Sequence, residues 1–261
     1  MRAAGRWTGL APAYAETFAG QCEHAIPPLL DALEAAPGTR LLDVGTGCGG
    51  VAAAALERGC LVTACDPEAD MLALAAGAAP GTRLVQCALP GLPFADGAFE
   101  LVSANFVVNH VPDPRAAVAE LVRVAAVGGR VAASIWPSEP VPLRTLWDDV
   151  VAEAGVVAPP GAALPASLDF ARTPAGLAGL LEGAGLRGVR AWTVAFVHVV
   201  EPGLWWSGVT GGVATIGHTW RAQDAAGRAA MARAYDRVSA QYLHEGVLHL
   251  PGAAVLAVGT R

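Results

Sequence analysis

From residue 38 onward, short apolar runs alternate with longer alanine-rich or amphipathic stretches, and glycine, proline and aspartate punctuate the joints. The run at 40–44 predicts a strand that ends at a glycine loop, and 51–58 predicts the helix after it. Residues 61–65 predict a second strand. Asp66-Pro67 then opens a helix to about 79, because proline suits the first helical position. Residues 82–87 and 99–106 predict the third and fourth strands. Asp113-Pro114 repeats the helix start, Gly128-Gly129 marks its end, and 130–136 predict a fifth strand. Strands alternating with helices of this length imply right-handed βαβ units. The expected fold class is α/β, a doubly wound, mostly parallel seven-stranded sheet.

Beyond Trp136 the rhythm loosens. A helix over 143–154, a Pro/Ala/Gly-rich loop to 165, a helix opened by Thr173-Pro174 and a sixth strand at 189–200 are expected. The Trp- and Gly-rich segment 202–220, a helix over 224–243 and a final strand at 253–258 close the chain. Residues 1–37 read as helical and precede the first strand, where they would form a lid.

Composition narrows the chemistry. All 17 basic residues are arginine. With no lysine, Schiff-base chemistry, a pyridoxal phosphate enzyme, a P-loop NTPase and a Tyr-x-x-x-Lys dehydrogenase are excluded. Alanine makes up about a fifth of the chain. The hydrophobic fraction of 54% and mean hydropathy of +0.43 raise the question of a membrane. The longest uncharged run, 202–220, carries one proline and five glycines and is a poor spanning helix. No apolar stretch precedes Ala13-Tyr14-Ala15 as a signal peptide would require. A soluble, cytoplasmic protein is expected. A net charge of −6 with scattered arginines makes nucleic acid an unexpected partner. The five cysteines, Cys22, Cys48, Cys60, Cys65 and Cys87, include no CxxC pair and read as free thiols, with no metal site expected.

The most informative stretch is LLDVGTGCGG at 41–50. Glycines between a strand and a helix let the backbone turn sharply and approach a ligand, and the N–H groups of the helix start favour an anionic group. Gly45, Gly47 and Gly50 fit the G-x-G-x-x-G dinucleotide fingerprint. Asp43, Gly45, Gly47 and Gly49 fit D/E-x-G-x-G-x-G instead. Asp66, closing the second strand, suits a ribose diol in either case. Asp43 belongs only to the second pattern, no second nucleotide-binding half follows, and the dehydrogenase lysine is absent, so the second pattern is preferred.

With ACDPEADML at 64–72, LPFADGAFELV at 92–102, NFVVNHVPDP at 105–114 and ELVRVAAVGGRVAAS at 120–134, residues 38–136 resemble the class I S-adenosylmethionine-dependent methyltransferases. The likeness is to the ubiquinone/menaquinone-type and small-molecule natural-product group. The resemblance implies S-adenosyl-L-methionine as cofactor, 38–136 as its binding core and 137–261 as a substrate cover plus the final strands. It places Gly45, Gly47 and Gly49 along the methionine and ribose part, Asp43 beneath the loop near the cofactor's amino group, and Asp66 on the ribose diol. Pro67 and Met71 would pack beside adenine, and Asn105 would sit near the methionine portion. Where the family often has an acid for the adenine amine this chain has Ala88, which leaves adenine to the backbone of Ala88 and Leu89.

Methyl transfer needs a general base only when the acceptor must lose a proton. His110, just after the fourth strand, is the candidate, with a loop-stabilising role as its alternative. His198 and His218 in the C-terminal part are weaker candidates. Aromatic residues crowd the variable part, and Tyr14, Trp136, Trp205, Trp206 and His218 are expected to line an apolar acceptor pocket. An aromatic or polyketide-like small molecule methylated on oxygen suits such a cleft. N- or C-methylation, a non-methylating reaction such as cyclisation, and a catalytically silent binding subunit are the alternatives.

Overall fold

The computed structural model describes residues 8–161 and 164–261. Three short helices, α1 (Ala11–Glu16), α2 (Ala19–Glu23) and α3 (Ile26–Ala32), lead into β1 (Arg40–Val44). There follow α4 (Gly50–Glu57), β2 (Leu61–Asp66), α5 (Ala69–Ala78), β3 (Arg83–Gln86), β4 (Phe99–Asn105), α6 (Pro114–Val124) and β5 (Ala125–Ile135). The remainder is α7 (Pro142–Ala154), α8 (Pro174–Gly183), β6 (Arg187–Val200), α9 (Pro202–Thr210), α10 (Ala214–Ala222) and α11 (Ala225–Ser239). A single 3-10 turn (Ala240–Tyr242), β7 (Leu243–His244) and β8 (Val247–Thr260) complete it. One eight-stranded sheet runs in the order β3-β2-β1-β4-β5-β8-β6, with β7 paired to β8. Pairs among β1 to β5 are parallel, and those involving β8 are antiparallel.

Both faces of the sheet are covered, which is why its strands read as unbroken apolar runs. Along β1, Leu42 and Val44 pack with Val118 and Leu121 of α6 and Leu177 and Leu181 of α8. Leu41 faces the other way, onto Leu29 and Leu30 of α3 and Val51 and Ala55 of α4. The same alternation places Val131 and Ala133 of β5 on one face and Ala132 on the other. The high hydropathy is therefore sheet core, and among the described residues no helix is long and apolar enough to cross a membrane. A third cluster lies beyond the sheet centre, where Leu143, Leu146, Trp205, Val209, Met231 and Tyr235 pack on Leu248 and Leu250 of β8.

Several expected boundaries shift for physical reasons. Asp66-Pro67 does not open α5; the helix begins at Ala69, and the Asp66 carboxylate accepts instead from the Gly47 N–H of the turn after β1 and from the Glu68 N–H. Asp113 does cap α6, accepting from the Ala116 N–H at 2.9 Å. That helix ends at Val124 rather than at Gly128-Gly129, and the chain passes straight into β5. The Trp-rich segment 202–220 is two helices, α9 and α10. The two-residue β7, too short for a periodicity signal, brings the strand number to eight where seven were expected.

Arg123 explains the LPFADG motif. Its guanidinium donates to the carbonyls of Leu92 and Phe94 and pairs with Glu120 and Asp96, while Glu120 also accepts from the Leu92 N–H. The loop after β3 is thereby pinned to α6.

Candidate functional site

The carboxyl ends of β1, β2, β4 and β5 open on a cavity of about 510 Å³, the position at which open parallel sheets hold ligands. Val44, Asp66 and Asn105 reach its wall from the strand ends, and Tyr14, Phe18, Gln21 and Cys22 of the N-terminal arm roof it.

The turn after β1 is built on left-handed backbone, with φ of +70° at Gly45 and +92° at Gly49. A Cβ on Gly45 would stand 2.5 Å from Val107 Cγ2, and one on Gly49 2.9 Å from the Ala75 backbone. Gly45 thus needs to be bare for the cavity wall to close. Gly49 does not line the cavity; it lets α4 start against α5. The N–H groups of Gly45 and Thr46 donate to the Cys65 carbonyl at 2.8 and 3.0 Å, folding the turn back over β2.

Asp66 links that turn to the next loop. Its Oδ2 accepts from the Gly47 N–H at 2.9 Å and its Oδ1 from the Glu68 N–H at 3.0 Å. The residue is 7% exposed and lines the cavity. Burial raises its pKa, against the lowering effect of the two N–H groups. Asp43 is placed differently, beneath the turn and off the cavity wall. Ser103 Oγ donates to its Oδ1 at 2.9 Å, and its Oδ2 is buried with no hydrogen-bond partner among the described residues. Burial pushes the Asp43 carboxyl up to about 6, partly offset by the Thr46 and Ser103 hydroxyls.

Pro67, Met71, Ala88 and Leu89 line the same end as Asp66, and Cys87 joins them. Asn105 is a strut: its Nδ2 donates to the Cys22 carbonyl at 3.2 Å, and its Oδ1 accepts from Ser134 Oγ. It therefore ties β4 both to the arm and to β5. Phe106 follows with a left-handed φ of +56°, and its ring stacks on Trp136 at 4.0 Å. Strained non-glycine backbone of this kind recurs at functional sites. His110 lines the cavity, with its Nε2 3.2 Å from the Asn109 amide nitrogen.

Of the residues expected on the acceptor side, Tyr14 and Trp136 line the cavity. Tyr14 lies 3.9 Å from the Cβ position of Gly47, and burial raises its phenol pKa well above the ordinary value. Trp205, Trp206 and His218 are not on the wall, and for the two tryptophans the cause is packing. Trp205 is 0% exposed, edge-on to Phe18 at 4.3 Å and stacked on Trp147 at 5.8 Å, so it fills the third core cluster. Trp206 stacks on Tyr235 at 4.8 Å and meets Trp220 edge-on at 5.2 Å. His218 is exposed on α10. From this region the cavity receives only Ala214, among the described lining residues. His198 also lies off the wall, facing His24 of the arm at 3.3 Å between Nδ1 and Nε2. Burial and the neighbouring His24 lower its pKa to about 4.

Phe18, Gln21, Phe106, Asn109, Leu164 and Pro165 also line the cavity and were not expected there. Phe106 and Asn109 are sequence neighbours of Asn105 and His110, so the strand-end motif carried a signal for them. Gln21, Leu164 and Pro165 sit in segments with no distinguishing pattern.

Residues 42–133 match the family model described as "Methyltransferase domain". The demethylmenaquinone methyltransferase of Beutenbergia cavernae is 34% identical over 119 residues, which is 45% of this chain and 50% of that protein. The chain spans about half the length of the curated relatives it matches. Among solved structures, the YcgJ protein from Bacillus subtilis superposes with a TM-score of 0.58 at 16% identity, covering 91% of this chain and 98% of that one. The Haemonchus contortus phosphoethanolamine N-methyltransferase 2, in complex with phosphomonomethylethanolamine and S-adenosylhomocysteine, gives a TM-score of 0.54 at 16% identity, covering 90% and 52%. These superpositions show the fold. The glycine turn and Asp66 lie inside the segment that matches the methyltransferase domain.

Proposed function

We propose that this protein is an S-adenosylmethionine-dependent methyltransferase that methylates an oxygen of a small, uncharged aromatic or polyketide-like molecule. One observation carries the reading. Asp66 and the glycine turn line the β1–β2 side of the cavity, Phe18, Phe106 and Trp136 line the β4–β5 side, and Asp66 is the only charged side chain among the described lining residues. The residues on the β1–β2 side fit the cofactor. Asp66 keeps acceptor capacity toward the cavity after its two N–H bonds, which suits a ribose diol, and Met71 and Leu89 offer an apolar slot for adenine. The unpartnered Asp43 Oδ2 beneath the turn favours a nearby cation.

The bound cofactor supplies a methyl group on a sulfonium, an already activated leaving group. What this chain adds is position and a dry site. Tyr14 and Phe18 roof the cavity, the Phe106–Trp136 pair gives a flat apolar wall for a planar acceptor, and no cation on the described wall matches a carboxylate or phosphate. A phenolic acceptor must lose its proton, and His110 on the same wall takes it. The arm formed by α1 to α3 serves as the lid, and the part after 136 furnishes the cover; residues 1–7 of the expected lid lie outside the described residues.

Incubation with methyl-labelled cofactor and a panel of phenols, amines and carbon acids tests this. Label in a phenyl ether is expected. Turnover without label transfer would replace it with a non-methylating reaction, and label on nitrogen or carbon would move the acceptor atom. His110→Ala is expected to lower kcat by about a hundredfold or more on a phenol.

A further inference from the structure

Most hydrogen-bonding side chains on the acceptor side of the cavity are spent within the protein. Asn105 joins the arm to β5, Asn109 meets His110, and the Tyr14 hydroxyl meets the Cys22 thiol. Two lining residues differ. The Gln21 carboxamide and the Trp136 indole N–H make no hydrogen bond to any described residue. Both residues are half-buried, and neither group is sealed in packing. Gln21 stands three residues on from Phe18, on the same face of the arm. Trp136 packs against the core cluster that takes in Phe18, so both groups open at the β4–β5 end.

We propose that Gln21 and Trp136 bind a carbonyl oxygen carried on a substituent of the acceptor's ring, which makes the substrate an acyl-substituted phenol. This rests on the oxygen-methylation reading above. An indole nitrogen donates and does not accept, so whatever meets Trp136 must be an acceptor. A carbonyl oxygen has two lone pairs and takes the indole N–H and a carboxamide N–H together. The indole N–H lies at the ring edge, so it meets a group that projects past the stacked faces and not the stacked ring itself. A plain phenol would strip water from both donors and return no bond. A carboxylate would also accept, but the only charged side chain among the described lining residues is another carboxylate, Asp66, and an anion would stay unpaired.

The test compares para-hydroxyacetophenone with para-ethylphenol, which has the same outline without the second oxygen. The acyl group also makes the phenol more acidic, so the decisive quantity is how the ratio of their kcat/KM values changes on substitution. Gln21→Leu, and Trp136→Phe, which keeps an aromatic face, should each lower that ratio by about fivefold or more. Gln21→Glu removes both N–H donors at nearly constant size and should do the same if Gln21→Leu does not fold. Infrared difference spectra with S-adenosylhomocysteine in the site need no turnover, and the carbonyl stretch of the bound ketone should lie at lower wavenumber in the parent than in the variants. A ratio that none of the substitutions moves, or a carbonyl stretch equal in parent and variants, would overturn the proposal. Labelled ether from neither compound would remove the oxygen-methylation reading, and the infrared comparison would still decide whether Gln21 and Trp136 hold the carbonyl.

Discussion

The two halves of the cavity are built by different means. At the β1–β2 end the wall is backbone and one carboxylate, held by hydrogen bonds between the glycine turn, Asp66 and the Cys65 carbonyl. At the β4–β5 end it is side chains, set by ring stacking between Phe106 and Trp136 and by a roof resting on Trp205. Backbone geometry restricts which residues can serve, because a left-handed φ and a 2.5 Å approach admit glycine alone at position 45. Ring packing restricts far less, since a tryptophan looks the same in a core and in a pocket. The first half therefore tolerates few substitutions, and the second tolerates more.

That contrast breaks most visibly in stability. Trp205→Ala, in a residue first expected to touch substrate, should cost about 3–5 kcal/mol of folding stability as a core cavity; chemical denaturation of variant and parent checks this. If Trp205→Ala instead left stability intact and changed only acceptor preference, the division between core and wall would be wrong.

Next in size is the buried acid under the turn. The folded pKa of Asp43, about 6, lies above its ordinary 3.8. Its contribution to stability is then fully present below the unfolded value and is lost as pH rises through the folded one. Between about pH 4 and pH 7 this amounts to something on the order of 3 kcal/mol at most. Asp43→Asn should flatten that part of the profile, and urea midpoints at the two pH values measure it.

Asp66→Asn, which keeps the shape and removes the charge, should weaken cofactor binding by about 1–3 kcal/mol with little change in acceptor KM. Isothermal titration calorimetry checks the first part and initial rates the second. Trp136→Ala should do the reverse at smaller scale, raising acceptor KM by about 1 kcal/mol through the lost stack while cofactor affinity holds. A variant that moved both constants together would merge the two halves into one.

Legibility in the sequence followed the same division. The order of strands and helices through β5 was readable because a sheet buried on both faces forces apolar runs, and because Asp113-Pro114 marks a helix start. The glycine turn and Asp66 were readable because their chemistry is local. Asp66-Pro67 misled as a helix start, since the same carboxylate was needed by Gly47 and Glu68. Trp205 and Trp206 misled because α9 turns their rings toward α7 and α11, and His218 because α10 leaves it exposed, tertiary choices that helical spacing does not encode. Gln21, Leu164 and Pro165 reach the wall from segments whose local pattern is silent about where they dock.

The His24–His198 contact spans 174 residues of chain. During synthesis at about 5–20 residues per second, the arm is made roughly 9–35 seconds before its anchor on β6 exists. Over that interval Phe18 has no Trp205 to cover it, and Cys22 has no Asn105 until β4 emerges. The roof of the site is thus the first part of the described chain to be made and among the last to find its partners.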